Sequence, residues 1–421
     1  MGELMHIAMI SGEYPPRWGG MGSTVYHLSS KLSQMGHRVS VITRKFKGEA
    51  PALNGVRVIG VPWTKIPMAF TRSYGRSALN ELQKIHSVDK VDIVHLHCPM
   101  VSWDEKQFDT CQREVAPVVS SMHGTWLGER DGLLLAAKFG EPAVWLNPND
   151  IAIRFLAKRY SNFEKFAIRK SALVVPNSRA TMADLEARYA APGDWNCQVI
   201  HWGVDTGMFV PPHRDSEDEA HKLREVHRKY GISEESTLIL AVGRLAARKG
   251  HGMLLRSFAR VSETIDAHLV IIGRGSLKGK LGKMAERLGL SGRVTIESGM
   301  PFHQIAEMYR FADLVAYPSY YEGQGLIPLE AMASGTPVVT VNHGPLPEMV
   351  DEKVGALFEL GSEKDLADSI LQECSSRSKL QEKGSEGRNR VVEKFSLEGN
   401  AKAFIGVYNQ ALSSSGSRGN S

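Results

Sequence analysis

The sequence predicts an α/β protein with two doubly wound domains, and three observations support this prediction. Short apolar runs alternate with segments of helical periodicity, most runs end in glycine, proline or a polar residue, and the pattern occurs in both halves of the chain. Such alternation is typical of parallel strands that helices cover on both faces. The length of 421 residues suits two or three domains.

Six segments of the first half are interpreted as strands, and the region 23–36 between the first two has apolar residues at helical spacing. The predicted strands are 6–11, 38–43, 91–97, 117–123, 173–176 and 198–201, and the apolar helical positions are Val25, Leu28 and Leu32. Strands that alternate with helices in this way predict a parallel sheet.

The second half repeats this organisation. Its predicted strands are 237–243, 268–273, 293–297, 314–318 and 337–341, and a helix is predicted to begin near Ile327. The charged segment 215–229 is interpreted as a surface helix or an insertion. We place the domain boundary near Gly203–Pro212, which gives domains 1–205 and 206–395, an amphipathic helix within 396–412 and a Ser/Gly-rich disordered tail at 413–421.

Composition excludes several classes of protein. Charged residues make up 23% and hydrophobic residues 42%, as in ordinary globular proteins, and no apolar run is long enough to span a membrane. The first residues lack the basic region of a signal peptide, and the four cysteines form no CxxC pair or metal-binding spacing. We therefore expect a cytoplasmic protein with reduced cysteines.

The net charge of +5 lies entirely in the first half. Residues 1–205 contain 24 basic and 19 acidic residues, and the remaining residues contain 51 − 24 = 27 basic and 46 − 19 = 27 acidic ones. The basic and aromatic segment 154–170 has helical spacing. Three interpretations stay open: a solvated basic face, an anionic acceptor, and a peripheral contact with the inner face of a membrane.

The segment EGQGLIPLE, Glu322 to Glu330, is the most informative part of the second half. Gly323 and Gly325 would let backbone N–H groups approach a ligand closely, and the following helix directs its positive end at the same place. Its two glutamates would accept hydrogen bonds from hydroxyl groups on either side of an anion. A nucleotide sugar has this order of groups: hydroxyls, a diphosphate and hydroxyls.

Cations follow the strand 237–243. Arg244 and Lys249 lie in GRLAARKG, where the end of a parallel strand is the usual place for a ligand in an open α/β sheet. A guanidinium and an ammonium group suit a diphosphate, and the chain has no Asp-x-Asp motif for a metal. We expect Arg248 to be the solvated cation of this segment.

These motifs resemble those of the retaining nucleotide-sugar glycosyltransferases of family 4, over roughly residues 5–410. The matches are the E-x7-E pattern of 322–330, the G-R-L-x-x-x-K-G pattern of 243–250 and the P-x-x-G-G loop of 16–20. The resemblance implies the GT-B fold, in which two Rossmann-like domains face a central cleft, with the acceptor bound by the first domain and the nucleotide sugar by the second. It also implies that the last helix crosses back to the first domain.

The resemblance implies roles for individual residues. Arg244 and Lys249 would hold the leaving diphosphate, Glu322 would lie beside the transferred hexose, and His123 would contact that sugar near the bond that breaks. Glu330 would bind the ribose hydroxyl groups. The other donor contacts would be Gly19, Gly20, Gly299, Met300, Gly323, Gly325 and Leu326. The acceptor contacts would be Arg17 and His97. Gln324 departs from the phenylalanine usual in the family, which makes the identity of the sugar less certain.

The resulting prediction is retaining transfer of a hexosyl unit from a nucleotide diphosphate sugar to a hydroxyl group of a sugar, glucan or lipid-linked acceptor, without a metal or other cofactor. UDP is favoured over ADP and GDP. A GT-B epimerase or hydrolase and a non-catalytic nucleotide-sugar-binding protein are the alternatives. The oligomeric state is not determined.

Two other classes are disfavoured. A dinucleotide oxidoreductase would need a third glycine after Gly273 and Gly275, and a nucleic-acid-binding protein would need aromatic residues among the basic ones. His95 and His97 lack a third metal ligand, so packing or contact with the acceptor is the preferred interpretation.

Overall fold

The computed structural model describes residues 4–16, 19–189, 195–213 and 216–416, and within these ranges it contains two six-stranded sheets. The strands are β1 His6–Ser11, β2 Arg38–Arg44, β3 Val56–Val61, β4 Ile93–Cys98, β5 Val118–Met122, β6 Leu173–Pro176, β7 Thr237–Val242, β8 Ala267–Ile272, β9 Val294–Glu297, β10 Leu314–Tyr317, β11 Val338–Val341 and β12 Gly355–Phe358.

Helices connect these strands. They are α1 Gly20–Gln34, α2 Ala69–Val88, α3 Glu105–Glu114, α4 Trp126–Lys138, α5 Pro148–Lys170, α6 Arg179–Tyr189, α7 Glu217–Tyr230, α8 His251–Thr264, α9 Lys278–Arg287, α10 Phe302–Phe311, α11 Leu326–Ala333, α12 Glu363–Cys374, α13 Arg377–Lys394 and α14 Leu397–Gly416. Two short 3₁₀ turns occupy Ala247–Lys249 and Leu346–Glu348. The last helix continues beyond residue 412, and residues 417–421 of the predicted tail lie outside the described ranges.

The two sheets have the same topology. The first has the order β3-β2-β1-β4-β5-β6 and the second the order β12-β11-β10-β7-β8-β9, which is the same sequence of strands read from the opposite edge. Every strand pair is parallel. The predicted fold class, α/β with two doubly wound parallel sheets, is therefore confirmed. The direction of winding reverses between β1 and β4 and between β7 and β10, which are the places where open α/β sheets bind ligands.

The chain divides into two compact units, each with one sheet. The first unit comprises Met1–Arg130, Ile151–Gly203 and Leu397–Ser421, and the second comprises Asp131–Asp150 and Val204–Ser396. The segment 131–150 thus belongs to the second unit although it precedes most of that unit in the sequence. The predicted boundaries did not include this segment in the second domain.

The central strands of each sheet are buried, as the apolar runs predict. All six residues of β1 and of β4 in the first sheet are buried, and so are all six residues of β8 in the second. In α1, the predicted apolar positions Val25, Leu28 and Leu32 face the core. A fully buried side chain of this size contributes about 1.5–3 kcal/mol of transfer free energy.

One predicted strand is wrong, and two observed strands were not predicted. The segment 198–201 is not a strand: Cys197 forms one isolated bridge with Val174, and the chain then continues without a ladder. The edge strands β3 and β12 were not predicted, because β3 is only partly buried and β12 is four residues that begin with glycine. Gly355 is required there, since a Cβ atom would lie 1.9 Å from the Val338 carbonyl oxygen.

Candidate functional site

A cluster of charged side chains lies where β7 and β10 end, at the winding reversal of the second sheet. Lys249 comes from the 3₁₀ turn after β7, and Glu322 comes from the loop after β10. Their side chains form an ion pair in which the Lys249 ammonium donates to Oε1 of Glu322. Two charges of opposite sign, predicted separately from the sequence, thus meet at one point of the second unit.

Tyr317, the last residue of β10, completes this ion pair. Its hydroxyl donates to Glu322 Oε1 at 2.5 Å and lies 3.1 Å from Nζ of Lys249. The sequence identified Tyr317 only as the end of a strand. Its position directly before a proline and a glutamate loop was the one available signal for a role in the cluster.

Burial and charge act in opposite directions on the two ionisable groups. Burial lowers the pKa of Lys249 to about 8, although the charge of Glu322 opposes this change. Burial also acts to raise the pKa of Glu322, but the charges of Lys249 and Arg248 hold that pKa below its usual value. Both groups are therefore ionised at neutral pH, so the Lys249 ammonium is positively charged beside the Glu322 carboxylate.

Two arginines surround this pair. The positive charges of Arg248 and Arg244 both act on Lys249 and lower its pKa. Arg244 is exposed, whereas Arg248 has only 7% of its surface exposed. The prediction that Arg248 is the solvated cation was wrong, because the 3₁₀ turn carries its side chain toward Glu322 and Tyr317.

The two loops of the cluster are packed directly against each other. Gly250 follows Lys249 with φ +73°, and a Cβ atom at this position would lie 2.0 Å from the Pro318 carbonyl oxygen. The N–H group of Tyr320 donates to the Arg248 carbonyl at 2.9 Å. Only glycine fits at position 250, and this close contact fixes the distance between the cations and the glutamate loop.

The helix α11 begins directly after the glutamate loop. Gly325, with φ +100°, precedes it, no side chain caps its first turn, and no acidic residue lies in that turn. The N–H groups of Leu326 and Ile327 therefore begin a helix whose positive end carries no side-chain cap. Gly323 and Gln324 are buried in the same loop.

Glu330 lies on α11 and faces Tyr309 of α10. The Tyr309 hydroxyl donates to Glu330 Oε2 at 2.9 Å, and burial raises the pKa of Glu330 to about 7. Unlike Glu322, this carboxyl has no cation beside it among the contacts that determine its pKa. Its protonation state therefore changes near neutral pH.

The remaining donor-site predictions of the second unit lie at the edge of the sheet. Gly299 and Met300 follow β9, the last strand of the order β10-β7-β8-β9. Gly299 is exposed, with φ +82°. Contact of these two residues with a base stays a prediction.

A second cluster lies at the end of β4 and β5 in the first unit, and it consists of histidines. His97 Nδ1 lies 3.0 Å from His123 Nε2, so one ring nitrogen donates and the other accepts. The His95 and His97 rings lie 4.1 Å apart between centroids. His97 is fully buried, and its role as an acceptor contact stays a prediction.

Burial keeps these three histidines neutral. It lowers the pKa of His95 and of His123 to about 3, and it lowers the pKa of His97 well below the ordinary value, with further lowering by the neighbouring imidazoles. A neutral imidazole is a hydrogen-bonding group rather than a charge at physiological pH. The cluster can therefore orient a polar ligand but cannot neutralise a phosphate.

Aromatic side chains that the sequence did not single out enclose the histidines. Trp202 stacks on His123 with ring centroids 4.9 Å apart and also on Phe404 of α14 at 4.9 Å. From the same helix, the Tyr408 hydroxyl forms a hydrogen bond with His95 Nδ1 at 2.8 Å. The last helix thus belongs to the first unit and supports this cluster directly.

The loop after β1 lies at the winding reversal of the first sheet. Gly19 is the N-cap of α1, and a Cβ atom there would lie 2.7 Å from a carboxylate oxygen of Glu13. Gly20 begins the helix with open space around it. Both glycines therefore stand at a helix N-terminus, and their contact with the donor stays a prediction, whereas Arg17 lies outside the described residues.

The helix α5 presents an exposed basic face. Arg154, Lys158 and Arg159 are exposed, and Phe155 has 72% of its surface exposed. A contact of this face with a membrane stays a prediction. None of the helices in the described ranges combines the length and apolar character that a membrane crossing requires.

In the described part of the chain, no group of three or more His, Cys, Asp or Glu side chains has an arrangement that could hold a metal ion.

Comparisons with known proteins agree with this architecture. Residues 18–207 match the model of Glycosyltransferase Family 4, and residues 222–390 match that of Glycosyl transferases group 1. An uncharacterized glycosyltransferase of Methanocaldococcus jannaschii is 28% identical over 97% of this chain and 99% of its own length. The MMP alpha-(1->4)-mannosyltransferase of Mycolicibacterium hassiacum is 27% identical over 97% and 98%.

Solved structures show the same fold. A sucrose-phosphate synthase from Thermosynechococcus elongatus superimposes with a TM-score of 0.77 at 19% identity, covering 97% of this chain and 99% of the other. Anabaena HepE in complex with UDP and glucose superimposes with a TM-score of 0.69 at 17% identity, covering 96% and 99%. The two sheets therefore define a GT-B protein.

The family models cover both units of this GT-B protein. The chain belongs to the group 1 glycosyltransferases and is a glycosyltransferase enzyme.

Proposed function

We propose that this glycosyltransferase moves a hexosyl unit from a nucleotide diphosphate sugar to a hydroxyl acceptor with retention of configuration. One observation carries the proposal: Arg244, Arg248, Lys249 and Glu322 interact at the end of β7 and β10. The loop of Glu322 also leads directly into the N-terminus of α11. Cations and a helix N-terminus suit a diphosphate, and carboxylates suit sugar hydroxyl groups.

The cations would act on the leaving group. As the bond between the sugar and the diphosphate breaks, negative charge develops on the diphosphate, and Arg244 and Lys249 stabilise that charge more strongly than they stabilise the bound donor. The exposed guanidinium of Arg244 is open to a ligand, whereas Lys249 is held by Glu322 and Tyr317. Arg244 would thus bind the diphosphate with a side chain that is free to move, whereas Lys249 would do so from a position that Glu322 and Tyr317 hold.

Retention requires attack on the face that the diphosphate leaves. In this mechanism the acceptor oxygen forms a bond to the anomeric carbon, the bond to the diphosphate breaks, and the acceptor proton passes to a diphosphate oxygen. No covalent nucleophile takes part. Glu322 would hold the hexose beside Lys249, and His123 would donate or accept a hydrogen bond as a neutral imidazole.

A metal ion is not required in this proposal. Arg244, Arg248 and Lys249 supply the positive charge that a divalent cation would otherwise bring to the diphosphate. Treatment with EDTA should therefore leave at least about half of the activity. Loss of nearly all activity, restored by adding Mg²⁺ or Mn²⁺, would contradict this part of the proposal.

UDP is the nucleotide we favour, with ADP and GDP as alternatives. HepE, which shares the fold, is described in complex with UDP and glucose. We propose a sugar, a glucan or a lipid-linked sugar as the acceptor. Glu330, with its carboxyl on α11, would accept hydrogen bonds from the ribose of any of these nucleotides.

A thermal-shift screen followed by an assay tests the function. A nucleotide present at a hundred times its Kd should stabilise the protein by about 2.7 kcal/mol. The stabilising nucleotide sugar is then incubated with and without acceptors, and a transferase should be nearly inert without an acceptor. Rapid turnover of the donor alone would favour an epimerase or a hydrolase, and binding with no product under any condition would favour a non-catalytic binding protein.

A further inference from the structure

A buried carboxylate outside the predicted site contacts the start of α8. Glu141 belongs to the second unit and has only 6% of its surface exposed. Its Oε2 accepts a hydrogen bond from the Gly252 N–H at 2.9 Å, and its Oε1 accepts one from the Met253 N–H at 2.7 Å. The N-cap residue of α8 is Gly250, which has no side chain to fill this role. Glu141 therefore caps a helix that lies more than a hundred residues further along the chain.

The same carboxylate also contacts the glutamate loop. The Tyr320 hydroxyl donates to Glu141 Oε1 at 3.3 Å, two residues before Glu322. The start of α8, on the other side, follows Lys249 after a single glycine. Glu141 thus bonds to both segments that carry the partners of the central ion pair.

The segment around Glu141 is itself fixed to the second unit. The Phe139 ring stacks on Tyr320 with centroids 5.8 Å apart and ring planes inclined by 7°. Arg256 of α8 donates to the Phe139 carbonyl at 3.0 Å and pairs with Glu363 at 2.5 Å. These contacts anchor the backbone that presents the carboxylate, so its position does not depend on the cap alone.

Sequence and geometry agree at the cap. A Cβ atom at Gly252 would lie 2.7 Å from Glu141 Oε2 and 2.8 Å from Pro142, so glycine is needed for the carboxylate to reach the helix. The N–H groups of Gly252 and Met253 at the start of α8 consequently bond to Glu141. The start of α11, which has no side-chain cap, is left for an anionic ligand.

From these contacts we infer that Glu141 is a positioning residue for the glycosyl transfer. It bonds to the helix that follows the Lys249 turn and to Tyr320 of the Glu322 loop, and so fixes the positions of these two segments relative to each other. This inference rests on the proposed function of Lys249 and Glu322. In this role Glu141 would act without contacting the donor or the acceptor. Its effect on the reaction passes through α8 and Tyr320.

The test compares Glu141→Gln with a matched cap at another helix. Glutamine replaces one carboxylate oxygen by an NH₂ group, which only donates, so the two N–H groups can no longer each bond to a separate oxygen. We expect kcat to fall by about tenfold or more while the Kd for UDP changes less than about threefold, because misplaced groups act mainly in the transition state. Ser376→Ala removes the side-chain cap of α13 and should lower the melting temperature without changing kcat.

A second variant and a second readout keep the test decisive. Gly252→Ala keeps the Glu141 side chain, but the added Cβ atom would displace its carboxylate from the start of α8. This variant should therefore also lower kcat. The rate at which an amine-selective reagent modifies Lys249, followed by mass spectrometry, should rise several-fold in Glu141→Gln and stay unchanged in Ser376→Ala. This readout requires no substrate.

The outcomes separate the two proposals. If the wild-type protein neither binds UDP, ADP or GDP nor transfers a sugar, the proposed function fails whatever Lys249 modification shows. If the wild-type protein is active and Glu141→Gln and Gly252→Ala keep its kcat and its Lys249 modification rate, Glu141 is only a structural cap and the inference is overturned.

Discussion

The histidine cluster of the first unit lies at β4 and β5, whereas the charged cluster of the second unit lies at β7 and β10, so in two sheets of identical strand order the clusters share one equivalent strand, β4 in the first sheet and β10 in the second. Their chemistry is opposite. His95, His97 and His123 are neutral, whereas Lys249 and Glu322 are ionised as a pair. The repeated topology therefore brings polar side chains to the strand ends of both sheets, and the identity of those side chains decides whether the cluster carries charge.

The physical reason for the difference is the presence or absence of a counter-ion. Burial disfavours the charged form of His123 and of Lys249 alike. Lys249 has a carboxylate in direct contact, which offsets part of this cost, whereas the contacts that lower the pKa of His97 are other imidazoles. We accordingly expect the second unit to bind the diphosphate and the first to orient neutral groups.

The largest expected effect comes from the cations. Lys249→Ala and Arg244→Ala should each lower kcat by about a hundredfold or more, because each removes a charge that stabilises the leaving diphosphate. Lys364→Ala is the matched control, since this lysine is exposed on α12 and pairs with Asp368 one turn away. Turnover is measured with folding checked by circular dichroism, because the first variant leaves Glu322 buried without its partner.

The proposed difference between the neutral and the charged cluster would be contradicted if His123→Ala lowered kcat more than Lys249→Ala. It would also be contradicted if both cation variants kept near wild-type rates, because charge at the end of β7 would then have no part in the reaction.

An intermediate effect should appear in the pH dependence of nucleotide binding. The pKa of Glu330 is about 7, and its ionised form accepts hydrogen bonds from ribose hydroxyl groups more strongly than its protonated form does. Affinity for UDP should therefore fall several-fold as the pH is lowered from 8 to 6. Calorimetric titration of Glu330→Gln should show a weaker dependence, and the titration of UDP itself contributes equally to both proteins. Equal slopes in the two proteins would remove Glu330 from the nucleotide site.

The smallest effect concerns stability in acid. The pKa of His123 is about 3 in the folded protein, below the value of about 6.5 for an unfolded chain. The unfolded state therefore binds more protons, and the free energy of unfolding falls as the pH decreases below about 6.5, by up to about 1.4 kcal/mol per pH unit for this residue. Urea unfolding at pH 7 and 5.5 should show a smaller loss in His123→Gln than in the wild-type protein.

Residues that titrate in the opposite direction, such as Glu330, are present in both proteins and cancel in this difference. An unchanged pH dependence in His123→Gln would mean that the imidazole is hydrated and ionises in the folded state.

Much of the second unit's site could be predicted because its residues lie in continuous motifs. Arg244 and Lys249 follow one strand, and Glu322 and Glu330 flank one glycine turn, so local spacing alone brought these residues to two strand ends. Parallel strands then place those ends at one edge of a sheet. The partners Tyr317 and Tyr309 could not be ranked from the sequence, because a buried tyrosine and a ligand-orienting tyrosine have the same local pattern.

Arg248 shows the limit of such reasoning. It precedes Lys249 in a basic run, and periodicity cannot tell which of two adjacent cations turns inward. The 3₁₀ turn at Ala247–Lys249 decided this, since it buries both side chains beside Glu322.

The sequence alone determined most of the strand-and-helix order, the repeated sheet and the charged motifs at the strand ends, because these depend on local periodicity and on chain direction. Only the tertiary structure decided that Glu141 caps α8 and that Tyr408 of the last helix supports His95, since these contacts join segments more than a hundred residues apart. It likewise decided which ionisable groups are charged. A pKa depends on burial and on neighbours brought together by folding, and the spacing of residues along a chain reveals neither of these.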